Sequence, residues 1–450
     1  MNGGTRSEGG NRARYASGFV PSVELNLADH TSTDVPNLAS RTPGDGQGEA
    51  GQVETAGSRT SPLVRTGLDR LADGFTHPLL QNRRLGLITN PTGITADFRS
   101  SVEICASLEG SALTALFACE HGLYGQRQAG QRFGDEIHPT LGIPVFSLYG
   151  EHKKPTPSML GNVDTLIFDM QDLGIRFYTY LSTLLYAIEA CAACGKSLVV
   201  LDRPNPLGGL AVEGGVLKPG FESMVGAWEL PIRTGMTIGE QAGMANAERR
   251  LGCELGVVKM DGWERRTEFG DTGQPWVLPS PNMPFVDTAR VYAGTCFFEG
   301  TNLSEGRGTT RPFEWIGAPW LDGEGLADEL NGLALPGVHF HPTYNTPTFS
   351  KHAGELCGGV RLFVTDKTIF EAVNTGLALL HAVIRRHPRE FRWLEPPSGG
   401  RRFFVDLLAG GSLLRERIAE SDGVAEIAES WRLEAQQWNE RRKAYLLYGR

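Results

Sequence analysis

From residue 62 onwards, short apolar segments alternate with segments of helical periodicity, and this alternation limits the folds that are open to the chain. The strand-length apolar runs lie at residues 85–89, 112–119, 144–149, 164–169 and 197–202. The clearest helical spacing of apolar residues covers 179–194, and Gly195 ends it. Apolar strands that are separated by helices form a parallel sheet covered on both faces. The sequence therefore predicts a doubly wound, Rossmann-like α/β domain over residues 62–284.

The second half of the chain has a different pattern. Residues 360–365 read as a strand, 367–387 as a helix and 424–447 as a terminal helix with one apolar stripe. The polar face of the terminal helix carries charges of both signs, so the stripe is expected to pack on its own domain rather than on a membrane. We expect a smaller α+β domain over residues 285–450.

Residues 1–61 are rich in Gly, Ser and Thr and poor in aromatic side chains. Such a segment buries too little apolar surface to offset its ordering entropy, so it is predicted to be a disordered tail. It has no apolar signal-peptide region as written, which favours a cytoplasmic location, and export is possible if the start codon is misassigned. The seven cysteines, an odd number mostly within apolar runs, also favour a reducing compartment.

Several classes of function conflict with the composition and motifs. The net charge is -9 and the chain has no basic run, which argues against nucleic acid or an anionic membrane as the main partner. No apolar stretch is long enough for a membrane span. P-loop and nucleophile-elbow motifs are absent. Neither Cys119 with His121 nor His339 with His341 has a third ligand group at zinc spacing, so no metal is expected.

Ionisable residues follow three of the apolar runs, where ligands bind in open α/β sheets. Glu120 follows the second run, Asp169 and Asp172 end the fourth, and Arg203 follows the fifth. Glu120 is the strongest candidate for a general acid, because it comes directly after an apolar strand and precedes a flexible Gly-containing turn. The alternative role for Glu120 is an ion pair with Arg176 or Arg203.

A polar, Gly-punctuated loop over residues 297–311 is a second candidate region. It carries two acids, two arginines and several hydroxyl groups between aromatic flanks. Such a loop suits a polyhydroxylated or anionic ligand, since glycine lets a ligand approach the backbone closely.

Seven motifs appear in one order along residues 65–450. They are Gly86-Leu-Ile-Thr-Asn90-Pro-Thr-Gly93, Cys119-Glu-His-Gly122, Phe168-Asp-Met-Gln-Asp-Leu-Gly-Ile-Arg-Phe-Tyr-Thr-Tyr180, Asp202-Arg-Pro-Asn-Pro-Leu-Gly208, Glu213-Gly214, Pro279-Ser-Pro-Asn-Met-Pro284 and the loop from Glu299 to Thr309. Together they resemble the NamZ-type exo-β-N-acetylmuramidases, formerly a family of domains of unknown function. The long motif from Asp169 to Tyr180 is specific, whereas Cys-Glu-His-Gly alone would be weak.

The resemblance implies an active cleft between a Rossmann-like domain and a smaller C-terminal domain. It implies exo-cleavage of N-acetylmuramic acid from the non-reducing ends of peptidoglycan fragments, with no cofactor, and it places the family's catalytic glutamate at Glu120. Placement by motif adds a set of substrate-binding candidates: His121, Gln171, Arg176, Tyr178, Arg203, Asn205, Glu213, Asn302 and Arg307.

Glycoside hydrolysis usually needs a second carboxyl group. Asp169, Asp172, Glu213 and Glu305 are all candidates, and the sequence does not choose among them. The lactyl carboxylate of N-acetylmuramic acid suits an arginine. Arg203 is the first candidate, followed by Arg307 and Arg176.

Two other functions are weighed against this one. A nucleotide-dependent Rossmann enzyme is disfavoured because the turn Asn90–Gly93 has too little glycine for a dinucleotide. A non-catalytic protein that binds muropeptides could use the same fold, since fold does not fix function. The oligomeric state stays open.

Overall fold

The computed structural model describes residues 63–396 and 400–449, so the tail predicted over 1–61 lies outside the described residues. The first part is a seven-stranded sheet in the order β3-β4-β2-β1-β5-β6-β7, parallel except for the edge strand β3. Its strands are β1 Arg84–Thr89, β2 Ala112–Ala118, β3 Glu136–Ile137, β4 Pro144–Ser147, β5 Thr165–Asp169, β6 Ser197–Leu201 and β7 Glu254–Val258. Its helices are α1 Gly67–Ala72, α2 Ser101–Ala106, α3 Thr179–Cys194 and α4 Ile238–Glu248. The five predicted strands and the α/β class are confirmed.

Strand β1 lies at the centre of this sheet, with β2 on one side and β5 on the other. Strands β5 and β6 are fully buried, as expected for strands covered on both faces. The chain direction across the sheet reverses at β1, and the carboxyl ends of β2 and β5 flank this switch point, where ligands bind in such folds.

The second part is built on a three-stranded antiparallel sheet in the order β8-β10-β9. The elements are α5 Val286–Thr295, β8 Trp315–Ala318, α6 Gly323–Gly332, β9 Val338–Pro342, β10 Gly358–Val364, α7 Ala372–Arg386, α8 Phe404–Ala409, α9 Leu413–Arg417 and α10 Gly423–Arg442. Helix α7 begins five residues later than predicted, and α10 ends at Arg442 in a short 3₁₀ turn.

Helix α10 buries the predicted stripe against its own chain through Ile427, Trp431 and Trp438. One face of the seven-stranded sheet and the three-stranded sheet share one continuous apolar core, whereas the other face of the large sheet packs in a second core with α1 and α2. The described residues of both sheets belong to one compact unit. Within the described ranges, no helix has the length and apolar character that a membrane crossing requires.

All seven cysteines are free, and six of them are buried. Cys191 and Cys194 lie in the last turn of α3, which Gly195 ends in the left-handed region with φ 60°. The Cys-x-x-Cys spacing therefore belongs to a packed helix end.

Candidate active site

A cavity of about 530 Å³ lies where the carboxyl ends of the parallel strands meet the second part of the molecule. From the sheet side, Glu120, His121, Tyr149, Tyr178 and Thr179 line it. The lining from the second part is Tyr292, Glu299, Glu305, Arg307, Phe313, Ser350, Phe404 and Leu407. The cavity thus combines ionisable groups with aromatic rings, as small-molecule sites do.

Glu120 follows β2 in a tight turn and is 8% exposed. The backbone N–H of Gly130 donates to its Oε1 at 3.0 Å, and the Thr179 hydroxyl donates to its Oε2 at 2.8 Å. Tyr149 also forms a side-chain hydrogen bond with Glu120, and burial together with this carboxyl raises the pKa of the Tyr149 phenol. Three groups from three segments therefore fix the orientation of one carboxyl group at the cavity.

His121 turns the chain sharply, since its φ of 74° lies in the left-handed region. Its Nδ1 is 2.8 Å from the carbonyl oxygen of Arg127, which can only accept, so Nδ1 carries the hydrogen and Nε2 is the acceptor. Burial lowers the pKa of His121. The neutral ring is suited to accepting a hydrogen bond from a ligand.

Glu299, Glu305 and Arg307 of the polar loop form the other charged part of the cavity, and Lys351 supports them from outside the loop. Arg307 donates through Nη2 to Glu299 at 2.8 Å, and its Nε lies 3.2 Å from Glu305. Lys351 donates to Glu305 Oε2 at 2.9 Å and to three backbone carbonyls. Burial raises the pKa of Glu299, and Arg307 opposes this shift. We call these four residues the Arg307 cluster.

The geometry inside the Arg307 cluster differentiates its two acids. Both oxygens of Glu305 are paired, one with Arg307 and one with Lys351, and its side chain is 3% exposed. Glu299 is paired through Oε1 and its side chain is 18% exposed. The guanidinium of Arg307 also lies 5.0 Å from the ring centre of Phe313, which fixes its plane. Glu299 is consequently the more accessible carboxylate.

The structure does not bring Asp169 and Arg203 to this cavity. Asp169 is fully buried and accepts two hydrogen bonds from Arg203, at 2.7 and 2.9 Å. Arg203 also donates to the carbonyl of Ile94 at 3.1 Å. This bidentate pair ties the loops after β1, β5 and β6 together.

Asp172 and Gln171 likewise serve the loop after β5. Asp172 Oδ2 accepts from the N–H of Gly174 at 2.6 Å, and burial raises its pKa to about 7. Gln171 donates to the carbonyls of Asp172 and Pro204. Neither side chain lines the cavity.

The remaining candidates bind backbone groups away from the cavity. Arg176 is 1% exposed and donates to three carbonyls. Glu213 pairs with Arg233 at 2.6 Å and faces a different groove. Asn205 and Asn302 bridge backbone groups of neighbouring loops. The predicted residues that share the cavity are Glu120, His121, Tyr178, Glu305 and Arg307.

Sequence reasoning did not select Tyr149, Thr179 and Glu299. A usable signal existed for two of them, because Tyr149 ends a predicted strand and Glu299 lies in the polar loop already singled out. Thr179 begins α3, and nothing in its local sequence indicates that it reaches Glu120.

Comparisons with known proteins agree with this arrangement. Residues 85–287 match the family model for the N-terminal part of the exo-β-N-acetylmuramidase NamZ, and residues 290–448 match its C-terminal counterpart. The peptidoglycan β-N-acetylmuramidase NamZ of Bacillus subtilis (strain 168) is 48% identical over 387 residues, which cover 86% of this chain and 92% of that protein.

Two solved structures share the fold. Both are DUF1343 family proteins from Bacteroides fragilis NCTC 9343. One has a TM-score of 0.78 at 34% identity, the other 0.68 at 29%, and each comparison covers 86% of this chain and 99% of the solved chain.

Proposed function

We propose that this chain, which belongs to the NamZ family of exo-β-N-acetylmuramidases, is a glycoside hydrolase that releases N-acetylmuramic acid from the non-reducing ends of peptidoglycan fragments. The observation that carries the proposal is the shared cavity of Glu120 and the Arg307 cluster, which places carboxyl groups from two parts of the chain around one space of sugar size. The relatives do not favour a nucleotide-dependent enzyme or a non-catalytic binding protein.

Glu120 is proposed as the general acid that protonates the leaving glycosidic oxygen. The hydroxyls of Thr179 and Tyr149 can each donate to the carboxylate and accept from the protonated acid, since a hydroxyl carries one donor and two lone pairs. Both protonation states of Glu120 therefore keep hydrogen-bond partners in the same geometry, as an acid that cycles its proton requires.

Glu299 is proposed as the second carboxylate of the reaction, which acts at the anomeric carbon of the sugar while Glu120 acts at the glycosidic oxygen. Its accessible oxygen distinguishes it from Glu305, whose two oxygens are taken by Arg307 and Lys351. In this proposal Glu305 is a positioning residue that holds Arg307, and Arg307 in turn holds Glu299. If Glu299→Ala loses turnover and azide restores it, the role is supported, whereas rescue of Glu305→Ala instead would exchange the two roles.

Arg307 is also proposed to recognise the lactyl carboxylate. Its Nε contacts Glu305 and its Nη2 contacts Glu299. Among the described residues none pairs with its Nη1, so this nitrogen is available to a ligand. A guanidinium fits a carboxylate geometrically and charge strengthens the bond. Arg203 and Arg176, the other two candidates, are committed to internal partners.

The fragments that the enzyme acts on are proposed to be glycans containing N-acetylmuramic acid and N-acetylglucosamine. Seven free cysteines fit action in a reducing, cytoplasmic compartment during cell-wall recycling, which is also proposed here. No cofactor is part of the proposed reaction.

The test of the function is a pair of chromogenic substrates, a β-N-acetylmuramide and its β-N-acetylglucosaminide analogue, which differ only in the lactyl group. The proposal expects colour release from the muramide and a much lower rate from the glucosaminide. Equal rates would contradict the assigned substrate, and no release from either would contradict the assigned reaction.

A further inference from the structure

One side of the cavity is built by an excursion of the chain that belongs to neither sheet. It leaves at Glu213 and returns at Arg233, which form a β-bridge with each other. Its two arms are joined again by the bond from Leu217 N to Leu230 O at 3.0 Å, and its tip closes between Ser223 and Gly226. Three residues of the tip, Ser223, Met224 and Val225, line the cavity.

Helix α8 packs beside this excursion and supplies Phe404 and Leu407 to the same lining. Arg176 locks the two together: it donates to Gly215 O and Leu230 O of the excursion, both at 2.8 Å, and to Leu408 O of α8 at 2.6 Å. Lys218 N donates to Gly410 O at 2.7 Å, directly after α8. The cavity-lining residues Met224, Val225, Phe404 and Leu407 therefore form one braced apolar wall.

The exposure of the lining shows which part of the cavity is its mouth. Ala129, Gly130, Lys153 and Ser350 are exposed, and Gly130 is the residue whose N–H binds Glu120. The wall residues, by contrast, are buried or half-buried. The proposed acid thus lies beside the open rim, where a leaving fragment can extend into solvent, and the wall forms part of the enclosed side.

We propose that this wall closes the cavity behind the non-reducing sugar and so restricts cleavage to the terminal residue. The inference rests on the proposed function and deepens it by assigning the residues that set exo-specificity. A sugar linked to O4 of the terminal N-acetylmuramic acid would have to occupy the space of Met224, Val225, Phe404 and Leu407. Rejection through a clash is a direct route to specificity, and Arg176 acts as a positioning residue because it holds the wall in place.

The experiment compares two chromogenic substrates. The uncapped one is a β-N-acetylmuramide, and the capped one carries a β-1,4-linked N-acetylglucosamine on O4 of the same sugar. The variants are Met224→Ala combined with Leu407→Ala, and Phe404→Ala alone in case the double variant does not fold. Glu222→Ala, at an exposed position beside the tip, is the matched control.

The wild-type protein and the Glu222→Ala control are expected to cleave only the uncapped substrate. At least one folded wall variant is expected to raise the ratio of capped to uncapped cleavage by about tenfold or more, the lower end of what one pocket group contributes to discrimination. A ratio that stays within about twofold of wild type in the folded wall variants would overturn the inference while leaving the function intact. Wild-type cleavage of both substrates would also overturn it, whereas cleavage of neither would remove the proposed function itself.

Discussion

The molecule contains two arginine–carboxylate groups in different surroundings, one at the strand ends of the seven-stranded sheet and one in the polar loop of the second part. Arg203 donates two hydrogen bonds to Asp169, and the exposed fractions of the two side chains are 5% and 0%. This pair connects the loops at the ends of the strands. Arg307 bridges Glu299 and Glu305 at the surface of a 530 Å³ cavity. The first group is sealed inside the protein, and the second can meet a ligand.

The difference lies in which space each side chain faces. A buried pair contributes little net stability but costs much when one partner is removed, because the other charge is left unpaired. An ion pair that lines a cavity still presents charged and hydrogen-bonding atoms to a substrate. Strand-end position alone therefore does not identify a catalytic carboxylate.

The largest effect we expect is on the chemistry at Glu120. The variant Glu120→Gln keeps the size of the side chain but cannot supply the proton, so the rate on the chromogenic muramide should fall by about 10²–10⁴-fold. Its melting temperature should stay near wild type, because the amide oxygen can accept from the N–H of Gly130 while the amide NH2 donates to the hydroxyl of Thr179. Glu109→Gln at an exposed position is the control. A rate within about threefold of wild type would remove Glu120 from the mechanism.

Breaking the buried pair of Asp169 and Arg203 should lower the stability of the protein and leave its activity intact. Asp169→Asn leaves the Arg203 guanidinium buried without a counter-charge, and breaking such a pair costs about 3–5 kcal/mol in the free energy of unfolding. Urea unfolding measures this loss, and the specific rate of the folded fraction should be retained. Unchanged stability with lost turnover would restore Asp169 as a candidate partner of Glu120.

Arg307 should control selectivity, and Arg203 should not. In Arg307→Ala the preference for muramide over glucosaminide should fall by about 30-fold. The reason is that a charged group left without its partner in a partly buried site costs about 2–5 kcal/mol, and the lactyl carboxylate loses its partner in this variant. Arg203→Lys, which keeps the charge of the sealed pair, should leave the ratio of the two rates unchanged. If neither variant alters that ratio, selectivity arises from the shape of the cavity.

Asp172 should make the free energy of unfolding depend on pH, an effect smaller than those of the preceding variants. Burial raises its folded-state pKa to about 7, so the native protein keeps a proton that the unfolded chain loses near pH 4. This contribution is present below pH 4 and is lost as the pH rises to about 7. The variant Asp172→Asn should therefore gain stability relative to wild type across that range in urea titrations. A difference between the two proteins that does not vary with pH would contradict the assignment.

The smallest effect is expected at the end of α3. Cys191 and Cys194 are packing residues there, so alanine variants should keep activity within about twofold of wild type. Mass spectrometry of the natively purified protein should find all seven thiols reduced. A stoichiometric disulfide would contradict the proposed reducing compartment.

Much of this architecture is present in local patterns. Helix α3 spans the predicted 179–194, because apolar spacing and a terminal glycine mark both its buried face and its end. Glu120 was expected at a strand end facing a site, and it lines the cavity. The partners of individual side chains were not predictable, because Asp169 and Arg203 are 34 residues apart and local sequence does not tell which way either points. Glu299 was recognised only as part of a polar loop, since its accessibility depends on Arg307 and Lys351 occupying Glu305.

The cavity that contains Glu120 is proposed to be where a terminal N-acetylmuramic acid is cleaved from its glycan. Mass spectrometry of the products from two disaccharides, one with N-acetylmuramic acid at the non-reducing end and one with N-acetylglucosamine there, tests it most directly. We expect the wild-type protein to split only the first disaccharide and the Glu120→Gln variant to split neither. Cleavage of the second disaccharide, or equal cleavage of the first by both proteins, would contradict it.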